Sequence, residues 1–139
     1  MTNRAVLVDI DGTLALRTGD RSPFDWHRVG EDEPNPPVVE LVRTINAAGF
    51  HRIILMSGRD QSCRMQTEMW LDAQRVPFDE LHMRPEKDNR KDSIVKEELY
   101  RKHVDGRHEV AFVVDDRNQV VAMWRGLGLS CFQVAEGDF

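Results

Sequence analysis

The chain has 139 residues, enough for one domain with a single core. At 40% hydrophobic and 31% charged residues it has the make-up of a globular protein, which excludes a disordered tail. No apolar run nears the roughly 20 residues of a membrane-spanning helix, and a net charge of −5 argues against a broad basic face for duplex DNA.

The first predicted element is a short buried strand at residues 5–8 (AVLV), which Asp9 cuts off too early for a secretory leader. A cytoplasmic protein with no membrane partner is expected. The connection over 15–34 is polar and carries Gly19, Pro23, Gly30 and Pro34. Loops of that length in compact domains are usually functional lids or disordered. Phe24 and Trp26 favour order, so a flap over the site is expected here. Val38, Leu41, Val42 and Ile45 fall at i, i+3, i+4 and i+7 and predict a helix. Asn35 suits its cap, Pro36 its first turn and Gly49 its stop.

A second strand follows at 52–56 (RIILM), then a helical stripe of Met65, Met69, Ala73 and Val76, expected to pack into the core. Residues 80–83 read as a minor strand, 92–103 as a third helix and 110–114 (VAFVV) as a further strand. A fourth helix at 117–126 and a short strand at 130–134 (SCFQV) complete the chain. Strands alternating with helices predict a single α/β domain with a mainly parallel, Rossmann-like sheet flanked by helices. Cys63 and Cys131 fit neither a zinc nor a disulfide spacing and read as reduced and structural. The five histidines form no metal pattern.

In open α/β sheets, ligands bind beyond the carboxyl ends of the strands. There this chain puts Asp9-Ile10-Asp11-Gly12-Thr13 after the first strand, Ser57-Gly58-Arg59 after the second and Asp115-Asp116 after the third clear one. Asp9 and Asp11, two apart in extended chain, share a side. Those four carboxylates need a cation to sit together. An oxygen-only donor set selects a hard one, Mg²⁺ above all. Gly12 permits a sharp turn. Asp116 also suits a cap for the helix behind it. A hydroxyl, a backbone N–H and a guanidinium at 57–59 suit a phosphate. Setting aside Asp9, Asp11, Asp92, Asp115 and Asp116 leaves the rest of the chain neutral. Asp92 and Lys96 are spaced to pair on a helix face, but spacing alone leaves Lys91 and Lys96 both open as a site lysine.

The string Asp9-Ile10-Asp11-Gly12-Thr13-Leu14, followed by Ser57, a helix lysine and Asp115-Asp116, resembles the four motifs of the haloacid dehalogenase superfamily. A closer resemblance is to the 3′-phosphatase domain of bacteriophage polynucleotide kinase/phosphatase. It is densest at 26–41 (WHRVGEDEPNPPVVEL), 56–59 (MSGR), 90–100 (RKDSIVKEELY) and 115–128 (DDRNQVVAMWRGLG). The resemblance implies a haloacid dehalogenase-like fold with a small flap and no large cap domain. It implies a Mg²⁺-dependent phosphomonoesterase working through an aspartyl-phosphate, with 3′-phosphorylated DNA or RNA ends as substrate. By the same resemblance Asp9 is the nucleophile and Asp11 the general acid/base. Asp9, the Asp11 main-chain carbonyl and Asp115 hold the metal, with Asp116 a water-linked acid beside it. Ser57, Gly58 and Arg59 bind phosphate, Lys96 is the motif lysine, Asp92 orients it, and Arg21 is a flap arginine.

The chain also departs from the phage protein. It contains no G-x-x-x-x-G-K-[ST] loop, so a stand-alone or separated phosphatase domain at 1–139 is expected, with any kinase or ligase a separate partner. The segment after Arg59 is shorter, and the flap differs by about one residue before Pro23, a change loops tolerate. Two other readings compete: a small-molecule phosphatase of the same superfamily, and a module that binds phosphorylated ends without turnover. The basic run Arg84, Lys87, Arg90 and Lys91 reads equally as a nucleic-acid contact or as a solvated loop, since Glu86 and Asp88 interrupt it.

Overall fold

The computed structural model describes residues 3–139. In chain order it comprises β1 (Arg4–Val8), the short ribbon strands β2 (Ala15–Leu16) and β3 (Glu33–Pro34), α1 (Pro36–Ala48) and β4 (Arg52–Asp60). Then come α2 (Arg64–Ala73), β5 (Glu80–Arg84), α3 (Asp92–His103), β6 (Glu109–Asp115), α4 (Asn118–Gly126) and β7 (Cys131–Gln133). The main sheet has the order β5-β4-β1-β6-β7, and every pairing in it is parallel. β1 is central, and the chain fills first one side of it and then the other. The crevice beyond its carboxyl end is the natural ligand position.

Alternation along β1 accounts for the layers. Val6 and Val8 face a core shared with α1 and α2 through Val38, Val42 and Trp70. Ala5 and Leu7 face a second core shared with α3 and α4 through Val95, Leu99, Val121 and Trp124. With both faces covered, the strand reads as a continuous apolar run. Each fully buried Val or Leu contributes roughly 1.5–3 kcal/mol.

The elements correct several expectations. The strand expected at 52–56 continues to Asp60, with a register shift against β5 between Ser57 and Asp60. Ser57, Gly58 and Arg59 therefore lie in an irregular strand end, where a bulge bends the strand and re-aims its side chains. α1 buries Val38, Val39 and Val42, whereas Leu41 is 38% exposed. Asn35 occupies the N-cap position, but its side chain donates instead to the Thr13 carbonyl at 2.9 Å. Gly49 does end α1, in the left-handed conformation at φ 76°.

The stripe expected in α2 is turned outward. Met65 and Met69 are 72% and 65% exposed, Ala73 is exposed, and only Val76, beyond the helix, is buried. The inward face is Thr67, Trp70 and Leu71, which has the same i, i+3, i+4 spacing. That face wins because the Trp70 indole N–H finds a buried acceptor, the Asp32 carbonyl, at 2.8 Å.

The 15–34 connection is structured. β2 and β3 pair antiparallel and close it at the base, and Trp26–Glu31 forms a 3-10 helix. Val29 is buried and Trp26 packs on the core, but Phe24 stands 80% exposed, so only one of the two aromatics anchors the flap. Among the described residues there is no large cap domain, and no helix is long and apolar enough to cross a membrane. Cys63 and Cys131 are free and buried.

Candidate active site

Asp9 is the centre of the first of three linked clusters. Its Oδ1 accepts from the Lys96 ammonium at 2.6 Å, and its Oδ2 accepts from the Thr13 hydroxyl at 2.9 Å. Lys96 comes from α3, is buried, and also donates to Asp115 Oδ2 at 3.2 Å. Asp115, at the end of β6, is fixed further. Its Oδ1 accepts the Asp116 and Arg117 backbone N–H groups at 2.8 and 3.4 Å, and its Oδ2 accepts the Trp124 indole N–H at 3.2 Å. Asp116 Oδ1 lies 3.3 Å from the same Thr13 hydroxyl. Gly12, at φ 82°, makes this closeness possible, because a Cβ there would run into the Asp116 carboxylate.

Asp9, Asp115 and Asp116 each present an oxygen within 4.8 Å of the others, and all three are buried. One lysine does not balance three carboxylates. Burial, and next the neighbouring Asp115, push the Asp9 carboxyl well above its ordinary range. Burial also raises Asp116, and the charge of Asp115 adds to it. Lys96 is held well above its usual value: burial opposes its charge, but Asp115 and Asp9 outweigh burial. The oxygen-only donors and the excess negative charge fit a hard divalent cation such as Mg²⁺.

The Asp11 side chain turns away from this cluster. The Arg59 guanidinium grips it, with Nη2 to Oδ1 at 2.8 Å and Nε to Oδ2 at 3.0 Å. Arg59 also donates to Asp32 Oδ2 at 3.0 Å and to the Thr67 hydroxyl at 3.1 Å. Arg21 holds Asp32 through two bonds of 2.9 Å and lies 3.9 Å from Asp11. Two arginines and two aspartates thus balance in a square of which Arg21, Arg59 and Asp32 are buried and Asp11 faces solvent. Burial works to raise the Asp11 pKa, yet Arg59, and then Arg21, hold it below its ordinary value. The Asp11 side chain remains 45% exposed and marks the way in from solvent.

A third cluster surrounds Asp92, at the start of α3. It accepts from Arg84 at 3.2 Å and lies 3.6 Å from Arg117 and 3.9 Å from Lys96. Arg84 donates to the Gly58 carbonyl at 2.7 Å, which ties the bulged end of β4 to α3. Ser57 is buried, and its Oγ accepts the Arg59 backbone N–H at 3.0 Å. Arg90 pairs with Asp88 and Glu98, and Arg84 is turned inward. Two members of the basic run are therefore already engaged.

Asp9, Lys96, Asp115 and Asp116 come together, but the Asp11 carboxylate, expected on the same side as Asp9, does not join them: Arg59 and Arg21 hold it beside the cluster instead. Lys91 stays exposed, so of the two lysines it is Lys96 that reaches the acids. Sequence reasoning missed Asp32, Thr13, Thr67 and Trp124. Thr13 lay within the acidic motif and carried a signal. Asp32 sits in the polar string Glu31-Asp32-Glu33, where nothing separates the one buried acid from its exposed neighbours.

Comparisons with known proteins bear on the family and the fold. Residues 3–139 match the family model described as the polynucleotide kinase PNKP phosphatase domain. A protein of Autographa californica nuclear polyhedrosis virus, described as a bifunctional polynucleotide kinase/RNA ligase, is 39% identical over 129 residues. That match covers 89% of this chain and 18% of the viral protein. A solved Pnkp1/Rnl/Hen1 complex contains a chain of 41% identity and TM-score 0.93, matched over 99% of this chain and 48% of that one. A Pnkp1/Rnl/Hen1 RNA repair complex gives 42% identity and TM-score 0.92, over 98% and 43%. This chain therefore spans less than half the length of each of these relatives. A haloacid dehalogenase-like hydrolase from Streptococcus pneumoniae, at 12% identity and TM-score 0.63 over 93% of this chain and 83% of that one, shares the fold.

Proposed function

The chain belongs to the polynucleotide kinase PNKP phosphatase-domain family and is a phosphatase; from that premise we propose that it removes 3′-phosphates from nucleic-acid ends. One observation carries the reading. The Asp9–Lys96–Asp115–Asp116 cluster and the Asp11–Arg59–Arg21 cluster meet at the carboxyl edge of the sheet, inside a chain that matches the family almost end to end.

In this reading an Asp9 oxygen attacks phosphorus, the bond from phosphorus to the 3′ oxygen breaks, and Asp11 gives its proton to the leaving oxygen. Water then gives a proton back to Asp11, its oxygen attacks phosphorus, and the bond to Asp9 breaks. Lys96 and Thr13 fix both oxygens of Asp9 before attack, so the nucleophile needs no reorientation. The arginine grip keeps Asp11 ionised at rest, the form that takes a proton from water. An incoming phosphate dianion competes for Arg59 and Arg21, and its charge favours the protonated acid needed for the first step. A divalent cation, Mg²⁺ in this reading, held by Asp9, Asp115 and Asp116 with the Asp11 carbonyl, would neutralise phosphate charge during transfer. Ser57, Gly58 and Arg59 are assigned to phosphate binding, and Asp92 to orienting Lys96.

The relatives' descriptions name RNA ligation and RNA repair, which favours RNA ends over DNA and a separate kinase or ligase as working partner. A cytoplasmic site of action suits the two free, buried thiols. The test is phosphate release with Mg²⁺ from a 3′-phosphorylated oligonucleotide, beside a 5′-phosphorylated strand and a free 3′-mononucleotide. Release from the 3′-phosphorylated strand alone, lost in Asp9→Asn, is expected. Equal or faster release from the mononucleotide would move the activity to small-molecule substrates.

A further inference from the structure

We infer that Phe24 is a stacking platform for the base of the nucleotide that carries the phosphate. This assignment rests on the nucleic-acid-end reading above. Phe24 sits in a turn closed by the Asp25 N–H donating to the Ser22 carbonyl at 3.0 Å. Pro23 occupies the second position of that turn, where its fixed φ is favourable, and Phe24 the third. The Phe24 N–H is taken by the Ser22 hydroxyl at 3.3 Å. Its amide is thus satisfied, while its ring projects at 80% exposure, the highest among the exposed large hydrophobic side chains. Among the described residues no other ring and no cation stacks on it.

The turn is tied to the active site through one side chain. Arg21 Nη1 donates to the Ser22 carbonyl at 3.1 Å and to the Asp25 carbonyl at 3.5 Å, clamping both ends of the turn. Through Nε and Nη2 the same guanidinium is locked on buried Asp32, and Nη2 lies 3.9 Å from Asp11 Oδ1. The ends of a β-turn are less than about 7 Å apart, so the backbone of Phe24 is held about one turn's width from the arginine beside the acid. A single exposed apolar side chain is ordinary on a surface. One presented on a clamped turn beside the opening of a phosphate site has a planar partner to meet there. Every base has a π-face, so stacking of this kind tolerates any sequence.

Three substrates and two variants test it: a 3′-phosphorylated oligonucleotide, the same strand ending in a 3′-phosphorylated abasic residue, and ring-free glycerol phosphate. The unaltered protein should prefer the normal strand over the abasic one. Phe24→Ala should cut kcat/KM on the normal strand roughly tenfold, mainly through KM, and leave the two strands equivalent. Phe24→Trp should restore the preference, and both variants should keep the parent Tm. The proposal is overturned if the unaltered protein treats both strands alike, or if Phe24→Ala keeps the preference or loses equally on both strands. Failure of the unaltered protein to release phosphate from any of the three would instead remove the phosphatase reading itself, and this one with it.

Discussion

Arg59 and Asp32 meet at 3.0 Å across 27 residues of chain, and both side chains are almost completely withdrawn from solvent. The contact joins the end of β4 to the flap, and through Arg21 it reaches the turn that carries Phe24. A buried ion pair of this kind is a weak source of net stability, because two charges lose their water. Its effect is positional: with Asp32 in place, two guanidiniums have fixed forks and Asp11 a fixed partner.

Asp32→Ala removes one partner and leaves two buried arginines sharing Asp11. Breaking such a pair costs roughly 3–5 kcal/mol, which at this chain length lowers Tm by about 10 °C or more. Glu33→Ala, next door and exposed, is the control and should leave Tm almost unchanged. Thermal unfolding of the two variants side by side decides it: equal Tm values would remove the special place given to Asp32.

Among the described residues, Lys96 supplies the cationic charge that bonds Asp9 and Asp115 directly. Lys96→Met should reduce kcat by roughly 10²–10³, the scale seen when a group that steadies transition-state charge is lost. Its stability should depend on metal. In EDTA the carboxylates are left unbalanced, and the variant should unfold well below the parent. Added Mg²⁺ should recover more Tm in the variant than in the parent, since binding to the folded form stabilises by mass action. An equal Mg²⁺ shift in both proteins would argue that the cation and the lysine serve separate acids.

The sequence made the acidic half of this site legible because its residues are local. Asp9, Asp11, Gly12 and Thr13 follow an apolar strand directly, and Asp115 and Asp116 do the same, so strand ends alone place them. The parallel sheet was legible for the same reason, since β1 and β6 are continuous apolar runs. Asp32 was not, because its burial depends on Trp70, Arg21 and Arg59, which only the folded chain assembles. The α2 face failed for a related reason. Thr67 is polar in sequence but satisfied by Arg59 in the core, so the apolar Met65–Met69 pair advertised the wrong side. Spacing left Lys91 and Lys96 open, the resemblance named Lys96, and in the fold it is Lys96 that reaches Asp9.

A separate histidine group predicts acid sensitivity. His82 and His103 stack at 4.0 Å with rings 8° from parallel, while Glu80 lies 2.8 Å from His82 and 3.1 Å from His108. Burial, then His82 and the nearby Lys102 and Arg107, hold the His103 pKa below its ordinary 6.5, with Glu80 opposing. The unfolded chain therefore takes the proton more readily, and the stability from neutral His103 is lost as pH falls through about 6.5. Glu80 acts in the same direction at lower pH. Burial would raise it, but its histidine partners hold it below 4.5, so its contribution disappears as pH falls below that value. Tm measured from about pH 7.5 to about pH 5.5 should fall more steeply in the parent than in His103→Gln, which cannot titrate. Parallel Tm curves would remove His103 from the account.

Gly137 packs against the backbone of Asp116 and Arg117. Its carbonyl accepts the Asn118 N–H at 2.8 Å, and a Cβ at this position would run into the Asp116 carbonyl and Arg117 Cα. The same segment braces Asp115 and Asp116 elsewhere: Gln133 donates to the Asp116 carbonyl at 2.9 Å and the Val134 N–H to the Asp115 carbonyl at 3.1 Å. Since the obstacle is backbone, Gly137→Ala must displace either the tail or the Asp116–Arg117 segment, and overpacking of this sort costs roughly 1–3 kcal/mol. Displacement of Asp116 should raise the Mg²⁺ concentration needed for half-maximal activity several-fold, because small errors in ligand position matter at a carboxylate site. Gly30→Ala, in open space on the flap helix, should leave that concentration unchanged. If Gly137→Ala loses stability but keeps the parent's Mg²⁺ dependence, the tail has moved and the acids have not, and the bracing assigned to it fails.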